Sequence, residues 1–186
     1  VTGSNRGIGR AIAAELASRP LALLLCGMRD PERFEPLDVP DGGAVEVRPV
    51  RVDLSNRDSI DASAAALPKL DLLVNNAGLM TGGLLEEQEI DDIYAMFQVN
   101  LVGLIHLTKL LLPGMIERDH GKVVNNASIS GYAWFPAATT YAAAKTDAET
   151  MELALTALAR VGLEHDALSI ADGLTNNQLR RMELAR

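Results

Sequence analysis

At 186 residues the chain is long enough for one domain with a substantial core and short for two. Apolar residues make up 48% of it and the formal net charge is −8, so a globular fold is expected, and with no basic stripe the phosphate backbone of a nucleic acid is a poor partner. The longest apolar runs, such as Leu21 to Cys26, fall far below the roughly 20 residues a membrane-spanning helix needs, and the lone cysteine excludes an internal disulfide framework or a multi-cysteine metal site. The expectation is a soluble, cytoplasmic protein with no membrane partner.

In chain order, "VTGSNRGIGR" (1–10) is one apolar residue, a loop with Gly3, Gly7 and Gly9, and the start of a helix marked by Ile8, Ile12 and Leu16 and closed by Arg19-Pro20. Residues 21–26 read as a buried parallel strand. "VEVRPVRVDL" (45–54) alternates apolar and polar residues, and Pro49, which cannot donate to a ladder, argues for the sheet edge. "LDLLVNNAG" (70–78) reads as a central strand buried on both faces. Residues 90–118 form a long helical stretch with Pro113-Gly114 near its end, and "KVVNNAS" (122–128) is the next strand. From about Thr140 to Val161 the chain is alanine-rich and helical, with Met151, Leu155 and Leu158 on one face and Gly162 as its stop; "DALSIADG" (166–173) is a last, weaker strand. This rhythm predicts an α/β fold: a doubly wound parallel sheet of the Rossmann type with helices on both faces, three layers in a single domain over 1–186.

In such a sheet, ligands bind beyond the carboxyl ends of the strands, where a glycine-rich turn offers N–H groups and a positive helix end to a pyrophosphate. The spacing here, Gly-x-x-x-Gly-x-Gly, serves a plain tight turn equally well when taken by itself. Tyr141 and Lys145 in "YAAAK" lie one helical turn apart on one face, so the ammonium favours the phenolate and fits the phenol for acid/base work. A lone pair of this kind is more often an ordinary contact on a solvated face. Its company changes the balance: Ser128 stands at the carboxyl end of the strand 122–127, with a hydroxyl able to meet a carbonyl or alcohol. Asn100 is a polar residue in an apolar helical stretch, where its amide can hold a water or make a helix-kink or packing hydrogen bond. His106, His120 and His165 have no ligand spacing, so no metal site is expected.

"TGSNRGIG" (2–9), "NNAG" (75–78), "VN" (99–100), Ser128 and "YAAAK" (141–145) occur in the order and approximate spacing of the short-chain dehydrogenases/reductases, and the resemblance runs from residue 1 to about 177. Carried over position by position, it implies a hydride transfer between a nicotinamide cofactor and a carbonyl or secondary alcohol. Tyr141 would be the acid/base, Lys145 would favour its phenolate and hold the nicotinamide ribose, Ser128 would orient the substrate oxygen, and Asn100 would retain a water linking Lys145 to solvent. Gly3, Gly7, Ile8 and Gly9 look like the pyrophosphate turn, with Asn76, Ala77 and Gly78 on the adenosine side. Asp53 matches a position whose carboxylate contacts the adenine amino group; otherwise it caps the next helix. Gly173 is carried over as a cofactor residue, and Thr175 and Asn177 fall near the position of a hydroxyl that would meet the nicotinamide amide.

For the cofactor, an acid after the second strand suits NAD and basic groups suit a 2′-phosphate. In "CGMRD" (26–30), Met28 falls where the acid would be, Arg29 follows, and Arg6 is a second guanidinium within reach, so NADP(H) is favoured. With a two-position slip Asp30 becomes the acid, and NAD(H) is possible. Trp134 and Phe135, and "LMTGG" (79–83), read either as substrate walls or as loop packing, with a weak preference for a nonpolar ketone or alcohol.

The chain departs from the family pattern at Asp172-Gly173, where Pro-Gly is usual, and at Asn126 and Ala127. A strand ahead of the glycine turn and a closing helix and strand are lacking, so the expectation is a chain shortened at both ends, beginning inside a strand that lies between the runs 21–26 and 70–76. The alternative reading is a noncatalytic member of the fold that binds nucleotide or a protein partner without turnover. The helices near 94–118 and 141–161 predict a homo-oligomer, a dimer or tetramer.

Overall fold

The computed structural model describes residues 1–38, 45–131 and 136–145. Its elements alternate: α1 (Gly7–Ala17), β1 (Leu23–Met28), β2 (Glu46–Arg51), α2 (Arg57–Ala66), β3 (Leu72–Asn75), α3 (Ile90–Phe97), α4 (Gly103–Glu117), β4 (Lys122–Asn125) and α5 (Thr139–Lys145). The predicted strand 166–173, the stretch 146–161, Trp134, Phe135, Gly173, Thr175 and Asn177 lie outside the described residues.

The strands pair in parallel, β1 with β2 and β3 with β4. Residues Val1 and Thr2 join the two halves. Val1 N donates to Leu25 O at 2.9 Å, Gly27 N to Val1 O at 2.8 Å and Thr2 N to Val74 O at 2.9 Å. The order across the sheet is therefore β2, β1, residues 1–2, β3, β4. The chain leaves its middle through the glycine turn, at the point where the winding direction reverses and a crevice opens. Among the described residues β2 has a neighbour on one side only, and Pro49 sits opposite Cys26 in that edge strand.

Alternation along the strands sends side chains to two layers. Leu24, Cys26 and Met28 of β1 pack with Ala13 and Ala17 of α1, whereas Leu73 of β3 packs with Ile60 of α2 and with Leu107 and Met115 of α4. Burying each of the larger aliphatic side chains contributes roughly 1.5–3 kcal/mol. The face of α1 pressed on the sheet is Gly9, Ala13 and Ala17, while Ile8, Ile12 and Leu16, which signal the helix in the sequence, are only half-buried beside it. Small residues let the helix start approach the strands closely enough to present its N-terminus to the crevice.

The helical stretch 90–118 differs from expectation in two ways. It is interrupted by a π-helical turn at Gln98–Val102, which holds Asn100. Pro113 lies inside α4, near its end as expected; its ring is exposed, so water can reach the carbonyl one turn back that has lost its donor. Judged by length and composition, Ile90–Glu117 is also the one helix among the described residues apolar enough to cross a membrane, with mean hydropathy 1.6. Counting unbroken apolar runs missed it because Asn100, His106 and Lys109 punctuate the stretch. Here Leu104, Leu107 and Met115 of this helix are buried against the protein core.

Candidate active site

The glycine turn is built by close approach. Gly3 has φ +67° and a Cβ there would stand 2.8 Å from Ala77 Cα; a Cβ on Gly9 would collide with Gly3 O and Asn76 Nδ2. Gly7 also has a positive φ, +54°, but nothing lies within 4 Å of its Cβ position, so this glycine faces open space at the start of α1. Thr2, which the sequence reading passed over, ties the turn to the end of β3. Its hydroxyl oxygen accepts from Asn76 N and Ala77 N, both at 3.0 Å. Asn76 Nδ2 returns a bond to Thr2 O at 3.0 Å and is oriented by Asn126, whose Nδ2 donates to Asn76 Oδ1 at 2.9 Å. One of the departures from the family pattern thus braces the turn.

Above these strand ends lies an open cleft of about 870 Å³. Gly3, Arg6, Gly7, Ile8, Gly9, Arg29, Asp53, Asn76, Ala77, Gly78, Ser128, Tyr141 and Lys145 all line it. Leu79 and Met80 of the segment 79–83 line it too. Ser128 is buried and accepts from Ser130 N at 3.2 Å. Asp53 does not cap α2. Its Oδ1 takes the N–H and hydroxyl of Ser55 at 3.0 and 2.6 Å, and the cap is Asn56, which accepts from Ser59 N at 2.9 Å.

Asn100 is the exception: it lies behind the cleft wall, 3% exposed. Both ends of its amide engage the peptide groups of Leu79, Nδ2 donating to Leu79 O at 2.7 Å and Oδ1 accepting from Leu79 N at 2.8 Å. Gly78 separates it from Lys145, since a Cβ on Gly78 would stand 3.3 Å from Asn100 Oδ1 and 3.8 Å from Lys145 Nζ. Burial pushes the pKa of the Lys145 ammonium below its ordinary value.

At the other end of the cleft Arg29 follows the last residue of β1, and Asp30 opens a short turn, Pro31–Arg33. Arg33 lines the cleft as well, a residue no motif singled out; the only signal was a second arginine in "MRDPER". Two nearby guanidiniums are committed elsewhere: Arg10 donates to Glu35 O and Pro36 O at 2.8 and 2.9 Å, and Arg51 pairs with Glu32 at 3.3 Å. Arg6, Arg29 and Arg33 have no side-chain hydrogen bond or ion pair among the described residues. The three uncommitted guanidiniums share the cleft lining with the carboxylates Asp30 and Asp53, so the basic groups exceed the acidic ones there although the chain as a whole carries −8, and a guanidinium fork suits a phosphate. Among the described residues no group of His, Cys, Asp or Glu could hold a metal ion.

The family model described as short chain dehydrogenase matches residues 1–161. An NADP-dependent 3-hydroxy acid dehydrogenase of Escherichia coli is 31% identical over 177 residues, which are 92% of this chain and 68% of that protein. A sulfoacetaldehyde reductase of Chromohalobacter salexigens is 35% identical over 151 residues, 78% of this chain and 59% of the relative. Among solved structures, a short-chain dehydrogenase from Sphingobium yanoikuyae in complex with NADPH superposes with a TM-score of 0.78 at 25% identity, covering 87% of this chain and 66% of that one. The chain belongs to the short-chain dehydrogenases/reductases, a family of oxidoreductases with the doubly wound α/β fold. It spans 68% and 59% of the length of these two curated relatives.

Proposed function

We propose that the protein catalyses NADP(H)-dependent interconversion of a carbonyl compound and a secondary alcohol, with Tyr141 as the acid/base. The observation that carries this reading is the single cleft that has Ser128, Tyr141 and Lys145 at one end and the glycine turn with Arg6, Arg29 and Arg33 at the other. The cleft fits a dinucleotide. Gly3 and Gly9 remove side chains where the turn must pack tightly, Gly7 leaves room at the helix start for a pyrophosphate, and the arginines meet a 2′-phosphate. When bound, the reduced nicotinamide supplies the hydride.

The chain's own residues supply the rest. Tyr141 gives its phenolic proton to the carbonyl oxygen as negative charge builds there, and takes a proton back in alcohol oxidation. Lys145, one turn along α5, stabilises the charge left on the phenolic oxygen and holds the ribose hydroxyls. Ser128 donates to the substrate oxygen from a fixed position at the end of β4, and a donor that needs no reorganisation is worth most in a site shielded from water. Asn100, with its amide spent on Leu79, acts as a packing residue that fixes the backbone beside Lys145. Asp53 receives the adenine amino group.

Loss of reduced-nicotinamide absorbance with a panel of ketones and aldehydes tests the reading. Turnover with NADPH at a rate well above that with NADH is expected. Binding of NADPH without consumption of any carbonyl would favour the noncatalytic alternative.

A further inference from the structure

The loop that follows β3 is fastened to the helix that carries Tyr141 by a closed ring of hydrogen bonds. Thr140 Oγ1 donates to Gln88 Oε1 at 2.7 Å, and Gln88 Nε2 donates to Gly83 O at 2.9 Å. Gly83 N donates in turn to Ala137 O at 3.1 Å. Ala137 and Thr140 belong to one turn at the start of α5, so the ring closes through the backbone. Thr140 is 7% exposed, which leaves its hydroxyl little chance of exchanging Gln88 for water. Ala137 has φ +59°, a left-handed conformation that costs an alanine energy and persists only where its surroundings dictate it. A Cβ on Gly82 would stand 3.4 Å from the same Ala137 O, so the loop lies directly against this turn.

We infer that Gln88 is a positioning residue for Tyr141: by holding Thr140 and Gly83 together it sets the entry angle of α5 relative to the segment 79–83. Neither Gln88 nor Thr140 lines the cleft, so any effect they have on the reaction passes through the residues they hold. An amide is the group the ring requires, because Thr140 needs an acceptor and the Gly83 carbonyl needs a donor at the two ends of one side chain. A glutamate would offer two acceptors and set one of them against the Gly83 carbonyl.

The inference rests on the proposed reaction, and its test has one arm that does not. Gln88→Leu and Thr140→Val keep size and remove one partner each, and each is expected to lower kcat about 10- to 100-fold. NADPH Kd should change far less than kcat, because the glycine turn and the arginines lie off α5, and the pH profile of kcat should keep its shape because Tyr141 and Lys145 move together on α5. The double variant should lose no more than either single one, as for two groups acting as a unit, and Thr140→Ser should retain activity. In parallel, hydrogen exchange should show Gly83 and the amides of α5 losing protection together in both variants. Wild-type kcat in both variants, additive losses, or exchange that rises in the loop while α5 stays protected would overturn the inference. Should the wild-type protein turn over no carbonyl, the proposed reaction fails and the exchange arm alone decides this one.

Discussion

Asn100 and Leu79 hold each other by a reciprocal pair of hydrogen bonds, the amide of one clasping both peptide groups of the other at 2.7 and 2.8 Å. The asparagine sits in the π-turn that offsets α3 from α4, so the clasp ties the kinked helix to the backbone just past Gly78. Asn100→Ala leaves the N–H and C=O of half-buried Leu79 without these partners and is expected to cost about 2 kcal/mol, the low end of roughly 1–3 for each of two orphaned groups because water reaches a half-buried residue. Asn100→Asp, which keeps one acceptor and sets a second against Leu79 O, should also destabilise. Denaturant unfolding measures both, and a change within about 0.5 kcal/mol for the alanine variant, the scatter of ordinary surface substitutions, contradicts the clasp.

On the proposed reading, the three uncommitted arginines are what would separate the two nicotinamide cofactors. A charge-assisted hydrogen bond to phosphate contributes about 1.5–3 kcal/mol. Arg29→Ala is therefore expected to raise the NADPH Kd about 10- to 100-fold while leaving NADH nearly unaffected. Arg6→Ala and Arg33→Ala should act in the same direction and more weakly, with all three effects shrinking as salt rises. Titration calorimetry with both cofactors checks this; equal losses for NADPH and NADH in Arg29→Ala refute the assignment.

Burial makes the Lys145 ammonium a cost to stability. Its folded-state pKa is lowered by burial, so between that lowered value and the ordinary 10.5 the unfolded chain binds more protons than the folded one. Stability therefore rises with pH across that window, and below it the cost of burying the charged ammonium is carried in full. Lys145→Met removes the charge and keeps the length. It is expected to raise Tm at pH 7 and flatten the rise toward pH 10, while kcat falls about 100-fold or more. A lower Tm at pH 7 would contradict the direction of the shift.

How much of this could be read beforehand depends on how local the signal is. The strands, α1 and the fold class follow from apolar runs broken by glycine and proline, and the candidate site residues follow from short motifs at fixed spacing. What stayed hidden comes from tertiary pairing. Thr2 looks like any threonine until its hydroxyl meets Asn76 and Ala77 across the sheet. The buried stripe Gly9, Ala13, Ala17 is silent in a search for large apolar residues, and the π-turn at Asn100 leaves the helical pattern nearly intact. Arg33 and Gln88 carry no motif, and only their neighbours give them meaning.

Tyr94 is 71% exposed, Val102 51% and Leu110 41%, all on the helices α3 and α4 and the turn between them. Apolar surface of this kind on adjoining elements fits association of like chains. Sedimentation velocity of the purified protein is expected to show a dimer or tetramer, and Leu110→Glu should shift it toward the monomer. A monomer at high concentration contradicts the expectation.

Tyr141→Phe removes the one hydroxyl proposed to carry the proton to the carbonyl oxygen. The ring and its packing remain while the hydroxyl is lost, so NADPH should bind as in the wild type and kcat for carbonyl reduction should fall about 10²- to 10⁴-fold, the range a positioned acid/base contributes. Turnover comparable to the wild type in that variant, with NADPH still bound, would contradict the account.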